Sequence, residues 1–361
     1  MREVWNFSAG PAQIPYEVLQ KAQEEFLSYD NSGMSIVEIS HRSSAFIKVM
    51  EETERKLRSL LHISDDYGVL FLQGGASLQF AMIPMNLKKI GKAAYINTGN
   101  WSVKAAEEAE RVGMQVDVIA SSDDKNFNYI PAWPTDFSGY DYVHITSNNT
   151  LEGTTFYEFP QTGDVPLVAD MSSNILSEPL DVSQFGLIYA GAQKNLGIAG
   201  LTVVIIKKDL LKHQNQLPKM LDFNQHYEKE SAYNTPPTFA IYILGLVLDW
   251  VAEQGGLERI AERNRTKAQL LYDYLDQSEM FQPTVFGKDR SIMNIPFITG
   301  DDALDKEFIQ YCEQHKIATI KGHRLIGGMR ASIYNAMPIE GVQALIDVMQ
   351  AFEDLKGRGT N

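Results

Sequence analysis

A lysine follows a short apolar run and a turn of small residues in the stretch Tyr189-Ala190-Gly191-Ala192-Gln193-Lys194-Asn195. The residues at 190–192 and 197–200 are small and apolar, which indicates that the amine of Lys194 lies away from an open polar surface. A desolvated lysine loses its proton readily, and Schiff-base chemistry requires the neutral amine. A lysine on a surface loop is the alternative interpretation.

Short apolar runs alternate with helical patterns in the part of the chain that precedes Pro236. The helical patterns cover residues 16–28, 44–61, 77–87 and 102–112. Alternation of this kind predicts an α/β domain around a mostly parallel sheet. The seven predicted strands are Gly68–Leu72, Ala93–Asn97, Gln115–Ile119, Tyr142–Thr146, Pro166–Ala169, Leu187–Ala190 and Leu201–Ile206.

The pattern changes after Pro236-Pro237, where two long helical patterns at 238–254 and 256–276 lead into a mixed segment. That segment ends with a helical pattern at 338–353, and it predicts a smaller domain. Its strand-like runs are Ile292–Phe297, Ile317–Ile320 and Met329–Tyr334. The predicted parts of the chain are an N-terminal arm at 1–15, a large domain at 16–260 and a small C-terminal α/β domain at 261–361.

Composition argues against several classes of partner. The chain of 361 residues has a net charge of -14, so neither nucleic acid nor an anionic membrane is expected to bind it. The longest apolar run, Phe239–Leu248, is only half of the ~20 residues that a membrane span needs. With Cys312 as its one cysteine the chain forms no intrachain disulfide, and Met1–Pro11 lacks the apolar core of a signal peptide. We therefore expect a cytoplasmic protein.

A carboxylate ends another apolar run, in Val165-Pro166-Leu167-Val168-Ala169-Asp170. Ligands of α/β sheets bind at the carboxyl ends of strands, so Asp170 is a candidate for a buried carboxylate. A buried carboxylate needs a cationic partner, and a protonated pyridine nitrogen would supply one. The alternative is an aspartate that caps the following turn.

A glycine turn leads from a predicted strand into a predicted helix in Phe71-Leu72-Gln73-Gly74-Gly75-Ala76-Ser77. Free backbone N–H groups at the start of a helix bind phosphate well. The stretch lacks the glycine spacing of nucleotide-binding loops, so it does not predict a nucleotide site. A tight structural turn is the alternative.

Basic residues recur in Ser40-His41-Arg42, in Lys321-Gly322-His323-Arg324 and at Arg330. Arginine suits the bidentate capture of carboxylate or phosphate, so these residues are candidates for an anion site in an acidic protein. Solvated surface charges are the alternative. The histidines and the single cysteine show no spacing typical of a metal site, and none is predicted.

Together these motifs resemble the phosphoserine aminotransferase family, a branch of the class V aminotransferases with the aspartate aminotransferase fold (PLP fold type I). The resemblance runs from Asn6-Phe7-Ser8-Ala9-Gly10-Pro11 to Asn335-Ala336-Met337-Pro338. It implies pyridoxal 5'-phosphate (PLP) as the cofactor of a reversible transamination. Its most specific stretches are Ser40–Arg42, Tyr189–Asn195, Asn234–Phe239, Lys321–Arg324 and Gly327–Ser332.

The resemblance also implies how the matching residues contact the cofactor. Lys194 would form the Schiff base with PLP and later move a proton, and Asp170 would pair with the pyridinium nitrogen. Trp101 would stack on the ring, with a core tryptophan as the alternative, and Thr150 would lie near the phenolic oxygen. The cofactor phosphate would contact Ala76, Ser77 and Gln193, together with Asn234 and Thr235 from the second subunit of a homodimer with shared active sites.

On the substrate side, the resemblance implies that Arg330 binds the α-carboxylate. The distal phosphate, or the side-chain carboxylate of glutamate, would be bound by His41, Arg42, His323 and Arg324. Some members of the family have an arginine where this chain has Ser77, so one cation of that pocket is missing here. The implied reaction passes the amino group of L-glutamate to 3-phosphonooxypyruvate, giving 2-oxoglutarate and O-phospho-L-serine in serine biosynthesis. A related phosphorylated substrate of pyridoxine biosynthesis is a further expectation.

Three other functions compete with this interpretation. A cysteine desulfurase or another PLP lyase would need a mobile cysteine, but Cys312 lies within a helical pattern at 308–314. An aminotransferase for alanine or serine with glyoxylate would have no use for the His–Arg pairs, because those substrates carry no distal anion. A non-catalytic module that binds anions would show no visible cofactor absorbance that glutamate bleaches.

Overall fold

The computed structural model describes residues 3–212, 216–324 and 326–357, so the first two residues of the predicted arm and the last four of the predicted small domain lie outside it. The α-helices are α1 (Tyr16–Glu25), α2 (Ser44–Leu61), α3 (Gly75–Leu87), α4 (Asn100–Arg111), α5 (Phe223–Glu228), α6 (Thr238–Glu253), α7 (Gly256–Gln277), α8 (Asp302–Gln314) and α9 (Ile339–Gly357). The β-strands are β1 (Trp5–Asn6), β2 (Tyr67–Leu72), β3 (Lys92–Asn97), β4 (Gln115–Ser121), β5 (Val143–Thr146), β6 (Leu167–Asp170), β7 (Leu187–Gly191), β8 (Thr202–Lys207), β9 (Gln282–Pro283), β10 (Asn294–Ile298), β11 (Ile317–Ala318) and β12 (Met329–Ser332).

A seven-stranded sheet forms the centre of the fold, in the order β2-β8-β7-β6-β5-β3-β4. The strands from β7 to β4 in this order pair in parallel, whereas β8 runs antiparallel to both β2 and β7. The predicted α/β fold with a mostly parallel sheet is confirmed. Each predicted strand of this sheet lies within two residues of its predicted bounds.

Helices cover both faces of this sheet, because its central strands are apolar on both sides. In β2, Leu70 packs in the same core as Phe80 of α3, whereas Phe71 packs in the opposite core with Leu244 of α6. This alternation follows from the two-residue period of a strand. Since α3 and α4 begin just after β2 and β3, their N-termini lie at the carboxyl edge of the sheet.

Several predicted elements are shorter in the structure, among them the strand predicted over 329–334, which ends at Ser332. The helix predicted over 16–28 ends at Glu25, and Asp30 beyond it has a φ of 47°. The strand predicted over 317–320 stops before Thr319, which has a φ of 60°. Left-handed backbone interrupts strand geometry at Thr319, and hydrophobic spacing reveals neither this turn nor the end of α1.

A second core gathers the C-terminal part of the chain around a three-stranded sheet in the order β12-β10-β9. The N-terminal arm joins it, since Trp5–Asn6 pairs in parallel with Ile317–Ala318 and Phe7 is fully buried there. Along α7, Ile260 belongs to the large core and Ala268 to the second core. The domain boundary near residue 260 stays a prediction, and this change of core supports it.

The longest apolar helix, α6, is largely buried against α2. Among the described residues, no single helix is long and apolar enough to cross a membrane. Within the described part of the chain, α6 and α7 reach that length and composition only when taken together, and the pair bends by 82° at its break.

Candidate active site

A cavity of about 300 Å³ lies at the carboxyl edge of the large sheet, between the N-termini of α3 and α4 and the ends of β5, β6 and β7. Residues from distant parts of the sequence meet there, including Ala9 and Gly10 of the N-terminal arm. The residues predicted from the sequence that line it are Ala76, Ser77, Trp101, Thr150, Asp170, Gln193, Lys194, His323 and Arg330.

Lys194 reaches the cavity from the turn that follows β7. Its Nζ donates a hydrogen bond to Oγ1 of Thr150 at 3.2 Å. Burial lowers the pKa of Lys194 to about 8, with Asp170 acting in the opposite direction and Arg330 in the same one. Near that pH about half of the amine is neutral, which is the form that attacks a carbonyl group.

Asp170 is the last residue of β6 and is 6 % exposed. Its Oδ1 accepts a hydrogen bond from the backbone N–H of Ser172 at 2.9 Å. Burial raises the pKa of Asp170, while the nearby charge of Lys194 acts against that rise. The carboxylate of Asp170 is therefore buried, and it also accepts a hydrogen bond within the turn that follows β6. Both interpretations of the sequence, a buried carboxylate and a turn cap, apply to this residue.

The glycine turn after β2 places the start of α3 at the cavity. Gly74 and Gly75 have φ of 92° and 68°, a left-handed conformation that favours glycine. A Cβ at Gly74 would lie 2.4 Å from Cδ2 of Leu78, so a larger residue would also clash. The first N–H groups of α3 have no partner within the helix, and Ala76 and Ser77 beside them line the cavity.

Trp101 lies in the first turn of α4 and lines the same cavity. The start of this helix is held by Glu152, which accepts hydrogen bonds from N and Nδ2 of Asn100 at 2.8 and 2.9 Å. Burial raises the pKa of Glu152. Glu152 was not predicted from the sequence, because a single acidic side chain in a loop carries no local signal.

Positive charge collects on one side of the cavity. A guanidinium N–H of Arg330 donates to the carbonyl oxygen of Thr150 at 3.4 Å. The pKa of His323 is lowered, first by burial and then by the charges of Arg330, Arg324 and Lys104. Lys104 was not predicted from the sequence, and its Nζ lies 4.5 Å from the ring centroid of Trp101. Such a cluster attracts anions to a protein that is acidic as a whole.

Five of the predicted residues do not line this cavity within the described chain: His41, Arg42, Asn234, Thr235 and Arg324. The first pair precedes α2 and the second precedes α6, while Arg324 is exposed beside His323. The segment before α6 is nevertheless close to the glycine turn, since Nε2 of Gln73 donates to the carbonyl oxygen of Thr235 at 2.8 Å.

Cys312 does not reach the site. It lies on α8, is fully buried, and burial raises the pKa of its thiol to about 12. The reactive form of cysteine is the thiolate, so this side chain is unsuited to desulfurase chemistry.

The cavity fits an aromatic cofactor that carries an aldehyde and a phosphate. It offers an amine of lowered pKa, a buried carboxylate, a flat indole ring and the start of a helix within one enclosure. Nε1 of Trp101 and Oγ1 of Thr146, two of its lining residues, are buried without a hydrogen-bond partner in the described part of the chain. Buried polar atoms without partners are rare in proteins, and a bound ligand is one way to satisfy them.

Comparison with known proteins shows the family of this chain. The family model of the class V aminotransferases matches residues 4–345. Phosphoserine aminotransferase from Listeria monocytogenes is 55% identical over 360 residues, covering 99% of both chains. The enzyme of that name from Bacillus cereus is 55% identical over 357 residues, covering 98% of this chain and 99% of the relative.

Solved structures of the same family have a closely similar fold. Phosphoserine aminotransferase from Bacillus circulans subsp. alkalophilus superposes with a TM-score of 0.95 at 47% identity, covering 98% of this chain and 99% of that chain. The PLP-bound phosphoserine aminotransferase from Trichomonas vaginalis has a TM-score of 0.92 at 38% identity, covering 96% and 100%. The chain therefore belongs to the class V aminotransferases, and it is a PLP-dependent aminotransferase of fold type I.

Proposed function

We propose that this enzyme transfers the amino group of L-glutamate to 3-phosphonooxypyruvate, giving 2-oxoglutarate and O-phospho-L-serine. The observation that carries the proposal is the meeting of Lys194, Asp170, His323 and Arg330 around one cavity. The names of the relatives with 55% identity support the same substrate. From that reaction we also expect the enzyme to lie in the cytoplasm and to take part in serine biosynthesis.

Lys194 and Asp170 are the proposed catalytic residues. PLP supplies an aldehyde and a ring that accepts electrons. The amine of Lys194, of lowered pKa, would hold the cofactor and, when free, would take the proton from the substrate Cα at Nζ. The carboxylate of Asp170 holds the ring nitrogen protonated, which strengthens the electron demand of the ring.

Cofactor binding is assigned to the residues around these two. The N–H groups at Ala76 and Ser77 bind the phosphate, with Gln193 beside them. Trp101 covers one face of the ring, and Glu152 keeps the start of its helix in place. Thr150, which accepts the hydrogen bond of Lys194, is assigned to the phenolic oxygen.

Substrate binding is assigned to the positive side of the cavity. Arg330 binds the α-carboxylate common to both amino acids, because a guanidinium pairs with a carboxylate in bidentate geometry. His323 and Arg324 bind the distal anion, and Lys104 adds a cation close to His323. Lys104 does not itself line the cavity, and its charge near His323 would partly offset the absence of the arginine that Ser77 replaces.

A homodimer with shared sites completes the proposal. His41, Arg42, Asn234 and Thr235 do not line the cavity of their own chain, which is what contacts across a dimer would require. The hydrogen bond from Gln73 to Thr235 keeps the alternative open, in which the segment serves its own site.

A mixed dimer distinguishes the two arrangements. One subunit carries Lys194→Ala, and the other carries Asn234→Ala with Thr235→Ala. Across a shared interface both lesions fall on the same site, so about one site of native affinity per dimer survives. Within one chain each site carries a lesion, and a mixed dimer without any site of native cofactor affinity would contradict the shared arrangement.

Substrate choice is tested by amino acceptors that differ only in the distal group. Glutamate is the donor, and formation of 2-oxoglutarate is followed with 3-phosphonooxypyruvate, pyruvate and glyoxylate. We expect a kcat/KM for the phosphorylated acceptor at least about a hundredfold above the others, since two charge-assisted contacts are lost without the phosphate. Equal rates would assign the enzyme to another substrate. The phosphorylated substrate of pyridoxine biosynthesis, tested in the same assay, is proposed as a second acceptor.

A further inference from the structure

A row of buried aromatic side chains continues from Asp170 into the sheet, and the proposed transamination gives it no role. Tyr189 lies on β7 directly beside Asp170, and His144 lies on β5 on the other side of β6. Tyr189 is fully buried and His144 is 2 % exposed. The hydroxyl of Tyr189 is 2.9 Å from Nε2 of His144. Tyr189 also acts to lower the pKa of Asp170, against the effect of burial.

The single proton of the Tyr189 hydroxyl restricts the direction of these bonds. When Tyr189 donates to Asp170, its oxygen accepts from Nε2–H of His144, and Nδ1 carries no proton. In the reverse direction Nδ1 of His144 is protonated, yet it is buried and has no hydrogen-bond partner in the described chain. A buried N–H without an acceptor is costly, so the first direction is favoured.

The imidazole is held neutral and in one orientation. The ring of Tyr95 stacks on His144 with centroids 4.8 Å apart and an interplanar angle of 25°. The Tyr95 hydroxyl is engaged with that of Tyr142 at 2.8 Å. Burial lowers the pKa of His144 to about 3, so it remains a neutral donor at physiological pH.

We propose that Tyr189 and His144 are positioning residues that keep Asp170 ionised and thereby keep the cofactor's ring nitrogen protonated. This inference rests on the pairing of Asp170 with that nitrogen in the proposed function. In a site without water, the proton between Asp170 and the ring nitrogen can lie on either group. A hydrogen bond donated to the carboxylate favours the state in which Asp170 is ionised and the nitrogen is protonated. One charge-assisted hydrogen bond should shift this ratio by about tenfold or more.

The test compares Tyr189→Phe with the matched control Tyr142→Phe. Each substitution removes one hydroxyl from the same buried layer, but only the first removes the hydroxyl that is proposed to act on Asp170. The ring nitrogen is observed by ¹⁵N NMR in holoenzyme loaded with ¹⁵N-labelled pyridoxal phosphate. We expect a protonated nitrogen in the unsubstituted enzyme and in Tyr142→Phe, and a shift toward the unprotonated position in Tyr189→Phe.

The outcomes separate this inference from the proposed function. Equal nitrogen shifts in Tyr189→Phe and Tyr142→Phe would refute the role of Tyr189, while Asp170 keeps its own. An unprotonated nitrogen in the unsubstituted enzyme would overturn both. A change of turnover alone would not suffice, because a purely structural defect also lowers it.

A second measurement needs no substitution in the enzyme that is observed. ¹⁵N NMR of histidine-labelled holoenzyme reports which nitrogen of His144 carries the proton, with the signal assigned through its loss in His144→Gln. We expect the Nε2–H tautomer. The Nδ1–H tautomer would reverse the direction of the chain and refute the inference, even where Tyr189→Phe does not fold.

Discussion

The substitution Asp170→Asn removes a buried charge and leaves the shape of the side chain unchanged. Asp170 is 6 % exposed, and its hydrogen bond from the N–H of Ser172 at 2.9 Å can be accepted equally by an amide oxygen. We therefore expect the variant to fold with nearly unchanged thermal stability. The substitution removes the favourable charge interaction with two groups, the ring nitrogen of the cofactor and the amine of Lys194.

The size of the loss follows from the burial of this charge. Removing one partner of a buried ion pair costs about 3–5 kcal/mol, and on the barrier for Cα deprotonation this is roughly a 10²- to 10⁴-fold loss of kcat. A second effect concerns the pKa of Lys194, and its direction can be stated. Asp170 raises the pKa of Lys194 against burial and Arg330, so in the variant that pKa should fall below about 8.

Two assays and one control address these effects. Steady-state transamination measures kcat, and the pH dependence of reductive methylation of Lys194 in the apoenzyme measures the pKa of its amine. The control is Asp181→Asn, because Asp181 accepts from the N–H of Ser183 at 3.0 Å in a similar turn at the surface. If Asp170→Asn loses no more activity than this control, Asp170 is only a turn cap and the reasoning is wrong.

Further expectations concern the pKa and the cations of the site. Because the pKa of Lys194 is about 8, the neutral fraction of its amine rises with pH. The rate at which the apoenzyme binds the cofactor should therefore increase from about pH 7 to about pH 9 and then level off. A rate that does not change with pH in stopped-flow measurements would contradict this. Arg42→Gln and Arg324→Gln should each raise the KM for phosphoserine by about tenfold and leave the slow reaction of alanine unchanged, whereas equal losses for both donors would indicate a structural role. Lys104→Met should raise the KM for phosphoserine severalfold, and this rise should disappear at high salt. Lys125→Met, which removes a similar lysine–aromatic contact at Tyr129, should leave the KM unchanged. Equal KM values in the two variants would exclude Lys104 from the anion pocket.

The fold was largely predictable because each strand of the large sheet is a compact apolar run between polar turns. The exceptions have local causes that hydrophobic spacing does not show. Helix α5 was missed because it spans only six residues, and it depends on Asp222, whose side chain accepts from the N–H of Asn224. The end of α1 was misplaced by three residues, because hydrophobic spacing does not show where a helix stops.

The candidate site was predictable where its residues follow strands. Asp170 and Lys194 end neighbouring parallel strands or follow them, so the sheet topology brings them together. Glu152 and Lys104 were missed because their relevance arises only from packing. One holds the start of α4, and the other lies beside the ring of Trp101 and near His323.

The central claim is that Lys194 binds the cofactor covalently, and reduction of the holoenzyme tests it most directly. Borohydride fixes the bond between the cofactor and its lysine, and peptide mapping by mass spectrometry then locates the pyridoxyl group. The structure supports Lys194 because its amine lines the cavity and has a lowered pKa. We predict a single label on Lys194, lost in Lys194→Ala together with transamination. A label on any other lysine of the native enzyme would contradict the account.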